Sequence, residues 1–193
     1  MNLQKLLNDY VMDQENPERN WDLAECYYEL GQTASALSFY LRCAEHTEDD
    51  LLAYTCLCKI ALCFEKPGNR ANSVRGMAMR AITVMPKRPE AYFILSRSYE
   101  SVGSYCECYT YAEMALANCD FTLLPLRTDV EYPGPYAFLF EKAVAGYYWG
   151  REAESRVIFA ELNKVSSHMP PVYRDAIKKN LATLGPVAKA RKL

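Results

Sequence analysis

Histidine and long apolar runs are both scarce in this 193-residue sequence. Its two histidines, His46 and His168, lie far apart, and neither has a neighbour at the spacing of zinc ligands. No stretch reaches the roughly 18 apolar residues of a membrane-spanning helix, and the first twenty residues lack the apolar core of a secretory signal peptide. We therefore expect no bound metal, no membrane partner and a cytoplasmic protein.

A basic excess is also missing, since 22 Lys and Arg stand against 24 Asp and Glu and give a net charge of −2. Nucleic acids attract proteins with a strongly basic field, because their phosphate groups carry negative charge. We expect no nucleic-acid partner. An RNA-binding helical repeat stays open as an alternative, in which Lys59 and Arg97 alone resemble a base-reading ladder.

The motifs that mark common enzyme classes do not occur in the sequence. It has no G-x4-G-K-[ST], no G-x-G-x2-G, no H-E-x2-H and no G-x-S-x-G. Asp129 and Glu131 superficially imitate the acidic pair of metal-dependent glycosyltransferases, but no alternation of strands and helices surrounds them. We predict no catalytic residue, no cofactor and no enzymatic activity. The alternative is that the chain is part of a glycosyltransferase-related enzyme.

The eight cysteines do not show the spacing of zinc ligands. Cys56, Cys58 and Cys63 form C-x-C-x4-C, and Cys106 with Cys108 forms C-x-C. Zinc sites usually combine two pairs of the C-x2-C to C-x4-C type. In a chain without a signal peptide, cysteines usually stay reduced and pack as small core residues. We therefore predict eight thiols.

One helical frame recurs along the sequence. It consists of an apolar stretch, a turn and a second apolar stretch, with Gly31 and Gly103 at the turns of the first and third copies. Small residues let paired helices approach closely, and large residues fill the remaining gaps. The three copies contain these residues: Leu23, Ala24, Tyr27, Tyr28, Ala36, Leu37, Tyr40, Cys43 and Ala44; Tyr54, Leu57, Cys58, Ala61, Ala78, Ala81 and Ile82; Leu95, Ser96, Tyr99, Cys108, Ala112, Ala115 and Leu116.

This frame resembles the tetratricopeptide repeat (TPR) over roughly residues 17–120. The resemblance implies an all-α, TPR-like right-handed α-solenoid of about four helical hairpins plus a C-terminal capping helix. The second copy departs from the pattern, because its turn has no glycine and Ala78 replaces the expected aromatic residue. We predict a single domain over residues 1–193 with the following parts: repeats at about 17–50, 51–88 and 89–122, an irregular loop at 123–135, a degenerate hairpin at 136–165 and a capping helix at 171–185.

In TPR proteins the first helix of each hairpin lines a concave groove, and the resemblance implies a non-catalytic scaffold that binds a peptide or partner protein there. Trp21 and Phe93 are candidate apolar anchors, while Lys59 and Arg97 are candidates for contacts with carboxylates. Positions two, five, nine and twelve of each repeat give the groove-facing residues Glu18, Trp21, Glu25 and Tyr28; Leu52, Thr55, Lys59 and Leu62; Glu90, Phe93, Arg97 and Glu100. The alternative is a solvated helix face without a partner.

The irregular loop supplies a second set of candidate partner-binding residues, Arg127, Asp129 and Tyr132, since loops on a rigid scaffold often carry function. Residues 125–151 also resemble segments of TPR-bearing chains from phages and large viruses, and of chains associated with glycosyltransferases. That resemblance implies a scaffold accessory to a glycosyltransferase or to a viral assembly.

Charge is distributed unevenly between the two ends of the chain. The first 50 residues contain eleven acidic and three basic residues, whereas residues 166–193 contain one acidic and six basic residues. Opposite charges at the ends of a repeat protein predict head-to-tail self-association, with solubilising caps as the alternative.

Overall fold

A computed structural model describes residues 2–185. Within that range every regular element is helical, which confirms the predicted all-α, TPR-like fold class. The elements are α1 (Leu3–Met12), α2 (Pro17–Glu29), α3 (Thr33–His46), α4 (Asp50–Glu65), α5 (Ala71–Val84), α6 (Glu90–Glu100), α7 (Tyr105–Asn118), α8 (Tyr136–Tyr148), α9 (Glu152–Val165), a 3-10 turn (Ser166–His168) and α10 (Pro171–Leu184). None of the described helices combines the length and apolar character that crossing a membrane requires.

The described residues form two compact units. Unit 1 consists of residues 2–95 and 119–132, and unit 2 of residues 96–118 and 133–185. The predicted single domain stays a prediction, as does self-association. Lys189, Arg191 and Lys192, three of the six basic residues behind that second prediction, lie outside the described residues.

Local signals position the helices of unit 1 where the repeat frame places them. The side chain of Asn16 accepts a hydrogen bond from the Arg19 backbone N–H at 3.2 Å, and Pro17 takes the first helical position of α2. At the other end Gly31 adopts φ 73°, a conformation that costs glycine little, and turns the chain toward α3. Asp49 caps α4 in the same way as Asn16 caps α2, accepting from the Leu51 N–H at 2.9 Å.

The core of unit 1 combines small residues with a few large aromatic ones. Tyr40 on α3 is fully buried, and its ring lies edge-on to Trp21 of α2 with the ring centroids 5.5 Å apart. Helix α4 is the most extensively buried helix of this unit, because it packs against both α3 and α5. One buried cluster contains Trp21, Ala24, Ala36, Tyr40, Cys43, Leu52, Cys56, Ile60 and Cys63.

All eight cysteines are free thiols, and six of them are buried. Burial raises the pKa of the Cys63 thiol to about 11, so it stays protonated and unreactive at neutral pH. Within residues 2–185 no group of three or more His, Cys, Asp or Glu side chains is arranged to hold a metal ion.

Unit 2 packs α8, α9 and α10 around a second core. The buried side chains there are Ala143, Phe159, Leu162, Met169, Ile177 and Leu184. Gly146 on α8 marks a close helix approach, because a Cβ atom at this position would lie 2.8 Å from the Ser155 hydroxyl on α9. The local backbone therefore requires glycine for spatial rather than conformational reasons.

Candidate partner-binding site

Five of the predicted groove residues of unit 1 contact another part of the same unit. Residues 119–132, here called the covering segment, contact side chains of α2, α4 and the first part of α6. We call the contacted side chains the A-helix face: Glu18, Trp21 and Glu25 on α2, Lys59 on α4 and Phe93 on α6. Trp21, Lys59 and Phe93 are buried, so the face is not the open groove that the sequence predicts.

Arg127 of the covering segment binds the first turns of α2. Its guanidinium donates two hydrogen bonds to the Glu18 carboxylate, at 2.9 and 3.1 Å, in a bidentate arrangement. The same group lies over the Trp21 ring, with its central carbon 4.1 Å from the ring centroid. Arg127 therefore contacts a charged and an aromatic side chain at once, and its planar fork gives the Glu18 carboxylate two parallel hydrogen bonds, a geometry that a lysine ammonium does not offer.

Glu25 is the centre of the hydrogen-bond network in the middle of the face. Its carboxylate lies 3.3 Å from the Lys59 ammonium, which is only 3% exposed. The Tyr40 hydroxyl donates to one oxygen of this carboxylate and the Thr128 hydroxyl to the other, the latter at 3.1 Å. Lys59 also donates to the Thr128 oxygen at 3.4 Å and lies 3.8 Å from the centroid of the Tyr28 ring. The buried positive charge is thus neutralised within the unit.

Burial also fixes the protonation of the tyrosines in this network. It raises the pKa of Tyr28 to about 12, with a smaller contribution from nearby carboxylates, and it raises the pKa of Tyr40 still further. Both hydroxyls stay protonated at physiological pH, so Tyr40 remains a hydrogen-bond donor to Glu25.

The last residues of the covering segment form a strained turn that packs on α6. Glu131 has φ 61°, which is unusual for a residue with a side chain, and its backbone N–H donates to the Asp129 carboxylate at 2.7 Å. Val130 is buried. The Tyr132 ring contacts Phe93, with the two centroids 5.7 Å apart. Apolar packing therefore contributes to holding this end of the segment.

A third ion pair, which sequence reasoning did not find, contacts the covering segment at Leu124. Arg88 forms a buried bidentate pair with Glu90 at 2.6 and 3.1 Å and donates to the Leu124 carbonyl at 2.9 Å. The Tyr54 hydroxyl donates to the same Glu90 carboxylate at 3.1 Å. The contacts with Leu124 and Tyr54 each join residues 36 positions apart, and counting along a single helix does not reveal them. Thr128 was missed for the same reason.

Eight of the nine candidate partner-binding residues lie in unit 1, and the structure brings them together. Trp21, Glu25, Tyr28, Lys59 and Phe93 belong to the helices, and Arg127, Asp129 and Tyr132 belong to the covering segment. The ninth, Arg97, is part of unit 2 and is half-buried there. Burial raises the pKa of Glu141, and the charge of Arg97 partly opposes that rise. Lys59, expected to meet a partner's carboxylate, instead meets the chain's own Glu25.

The face carries several charges, yet they compensate one another locally. Glu18 is paired with Arg127, Glu25 with Lys59, and Arg88 with Glu90. Each of these six charged side chains therefore has an oppositely charged partner within unit 1.

Comparisons with known proteins identify the fold. No protein-family model and no curated protein sequence matches the chain. Nearly identical TPR-like repeats from Podosopora anserina, assigned to a kinesin light chain, are 18% identical, with a TM-score of 0.61 over 88% of this chain and 87% of that one. A thermophilic TPR protein of Thermus thermophilus is 16% identical, with a TM-score of 0.59 over 93% of this chain and 89% of that one. The chain therefore has the fold of tetratricopeptide-repeat proteins.

Proposed function

We propose that this protein is a non-catalytic scaffold that binds a partner protein or peptide on the A-helix face of unit 1. The observation that carries the proposal is the covering segment itself. A non-helical piece of polypeptide already lies on this face and is held through side chains of three different helices. A surface that binds one polypeptide segment by specific side-chain contacts has the chemistry needed to bind another.

The residues we propose for partner binding have complementary roles. Trp21 and Phe93 supply aromatic surface, and aromatic side chains dominate the energetics of many protein interfaces. Glu25, Lys59 and Tyr28 supply the polar centre. Arg127, Asp129 and Tyr132, the candidates from the loop, belong to the covering segment that occupies this face, and Arg97 is proposed as a separate contact in unit 2.

The pairing of Lys59 argues against the RNA-binding alternative. A base-reading or phosphate-binding lysine has to present its ammonium group to solvent, whereas this one is buried against a carboxylate and a tyrosine ring. The compensated charges likewise favour binding over catalysis. A protein or peptide partner is therefore the proposal that the electrostatics support best.

The resemblance of residues 125–151 makes the proposal more specific, because it includes Arg127, Asp129 and Tyr132. We propose a glycosyltransferase domain or a viral assembly protein as the partner, in the cytoplasm. This part is independent of the face itself, since any non-helical polypeptide with suitable side chains would satisfy the geometry.

Affinity capture from the native host, followed by mass spectrometry, tests the proposal. The wild-type chain is compared with Glu18→Arg, which reverses a charge on the face, and with the matched control Glu29→Arg, which reverses an exposed charge on the same helix. We expect a captured partner to lose at least about tenfold in affinity with Glu18→Arg and to be unaffected by the control. Equal binding by all three proteins would place the partner site elsewhere.

A further inference from the structure

The covering segment reports what kind of ligand the A-helix face accepts. Arg127 reaches Glu18 and Trp21, Thr128 reaches Glu25 and Lys59, and Tyr132 reaches Phe93. Val130, between them, is buried. The face thus holds this bent segment through a basic, a hydroxyl and an aromatic side chain in a fixed order, with the aliphatic Val130 buried between the last two.

The two buried cations that contact the segment, Lys59 and Arg88, keep their counter-ions without it. If Thr128 leaves, Lys59 keeps its ion pair with Glu25 and its position over the Tyr28 ring. If the Leu124 carbonyl leaves, Arg88 keeps both hydrogen bonds to Glu90. Because neither buried cation loses its counter-ion, vacating the face does not carry the large penalty of an uncompensated buried charge.

The contact between the segment and the first turns of α2 is exposed to solvent. The Arg127 and Glu18 side chains are 39% and 63% exposed, so water and salt screen their attraction. Glu131 adopts a left-handed backbone conformation that disfavours the bound turn. A competing chain without that strained residue could make the same contacts more favourably.

We infer, on the basis of the proposed function, that the A-helix face recognises a non-helical partner segment with a fixed order of side chains. The order is arginine, a hydroxyl residue directly after it, an aliphatic residue two positions later and an aromatic residue two positions after that. The partner segment binds in place of residues 127–132. Arginine is specified over lysine because the Glu18 carboxylate accepts two parallel hydrogen bonds, which the planar guanidinium supplies. The covering segment is then an internal competitor that weakens binding of poorly matched partners.

A synthetic, fluorescein-labelled copy of residues 122–135 tests this inference by fluorescence anisotropy. Arg127→Ala combined with Tyr132→Ala in the full chain loosens the covering segment but leaves every residue of the face in place. We expect this loosened protein to bind the peptide at least about tenfold more tightly than the wild type, whose face is occupied. Circular dichroism checks that the helices persist in the double variant. The same anisotropy measurement on Arg127→Ala alone tests a protein with a smaller change.

A charge exchange identifies the contact that carries recognition. In the loosened protein, Glu18→Arg should weaken binding of the peptide at least about fivefold, and a peptide with Arg127→Glu should bind this variant better than the unmodified peptide does. Glu29→Arg, on the same helix, should leave both affinities unchanged. Failure of the charge-exchanged pair to recover binding would overturn the arginine assignment.

Two other results would overturn the inference. One is a folded, loosened protein that does not bind the peptide, or binds a scrambled peptide equally well. The other is a captured partner whose binding is weakened by Glu18→Arg but which the peptide does not displace. That result would retain the proposed function and show that the covering segment does not compete with the partner. Peptide binding without any partner captured through the face would contradict the proposed function instead.

Discussion

Replacing Glu25 by glutamine removes the counter-ion of Lys59 while keeping the shape of the side chain. Glutamine still offers an oxygen to the Tyr40 hydroxyl, so the change isolates charge from hydrogen bonding. Lys59 is only 3% exposed, and Lys66, the other cation near the Tyr28 ring, adds repulsion rather than relief. The variant therefore leaves a buried ammonium group without a formal negative charge beside it.

The expected loss in the free energy of unfolding follows from the cost of removing one partner of a buried ion pair, which is about 3–5 kcal/mol. The lower half of that range applies, because glutamine and the tyrosine ring still solvate the ammonium partly. For a chain of this size, about 3 kcal/mol corresponds to a melting temperature lower by about 6–12 °C. Lys59→Met should cost less, about 1–2 kcal/mol, since Glu25 is 19% exposed and keeps two hydroxyl donors.

Thermal and urea unfolding of both single variants and the double variant form a double-mutant cycle. We expect the double variant to be about as stable as Lys59→Met alone, which gives a coupling energy of about 2 kcal/mol or more. Glu29→Gln, an exposed change on the same helix, controls for general effects on α2. A loss below about 1 kcal/mol for Glu25→Gln, or simple additivity in the double variant, would refute the ion-pair argument.

Three further predictions concern backbone and buried groups. Glu131→Gly should stabilise the protein by up to about 1 kcal/mol in urea unfolding, because a backbone φ of 61° costs glycine little. Destabilisation would show that the contacts of the Glu131 side chain contribute more than the backbone strain costs. Gly146→Ala should destabilise the protein by about 1–3 kcal/mol, because the new Cβ would lie 2.8 Å from the Ser155 hydroxyl. The control Gly76→Ala, in the open middle of α5, should stabilise the protein. Equal effects of the two changes on the free energy of unfolding would contradict the packing argument. Burial, then the nearby Glu100 charge, raises the pKa of Glu141 to about 7, so the folded state binds an extra proton between about pH 4.3 and 7. Stability should fall as pH rises through that window, and Glu141→Gln should flatten the profile measured by thermal unfolding.

The helices of this protein are predictable from sequence because their signals are local. Pro17, Gly31 and Asp49 act through backbone groups only a few residues away, and they mark helix ends where the repeat frame places them. The apolar and small residues of each hairpin recur at helical spacing for the same reason. The fold class therefore follows from the order and period of short-range features.

The candidate site is only partly predictable. Periodicity identifies Trp21, Glu25 and Lys59 as residues on one side of their helices, because counting along a helix determines which side chains share a face. It gives no information on what covers that face. Sequence reasoning treats the groove and the 123–135 loop as alternative sites, whereas the structure joins them through contacts such as Arg127 with Glu18.

The helical character of the chain and the residues that share one side of a helix follow from short-range patterns in the sequence. The partners of those residues depend on the folded arrangement: Glu25 for Lys59, and the covering segment for the A-helix face. These partners are far apart along the chain. Arg127 and Glu18 are 109 residues apart, and Thr128 and Lys59 are 69 apart, so no helical period relates them. Their pairing depends on how the chain returns across unit 1 after α7, which only the folded arrangement specifies.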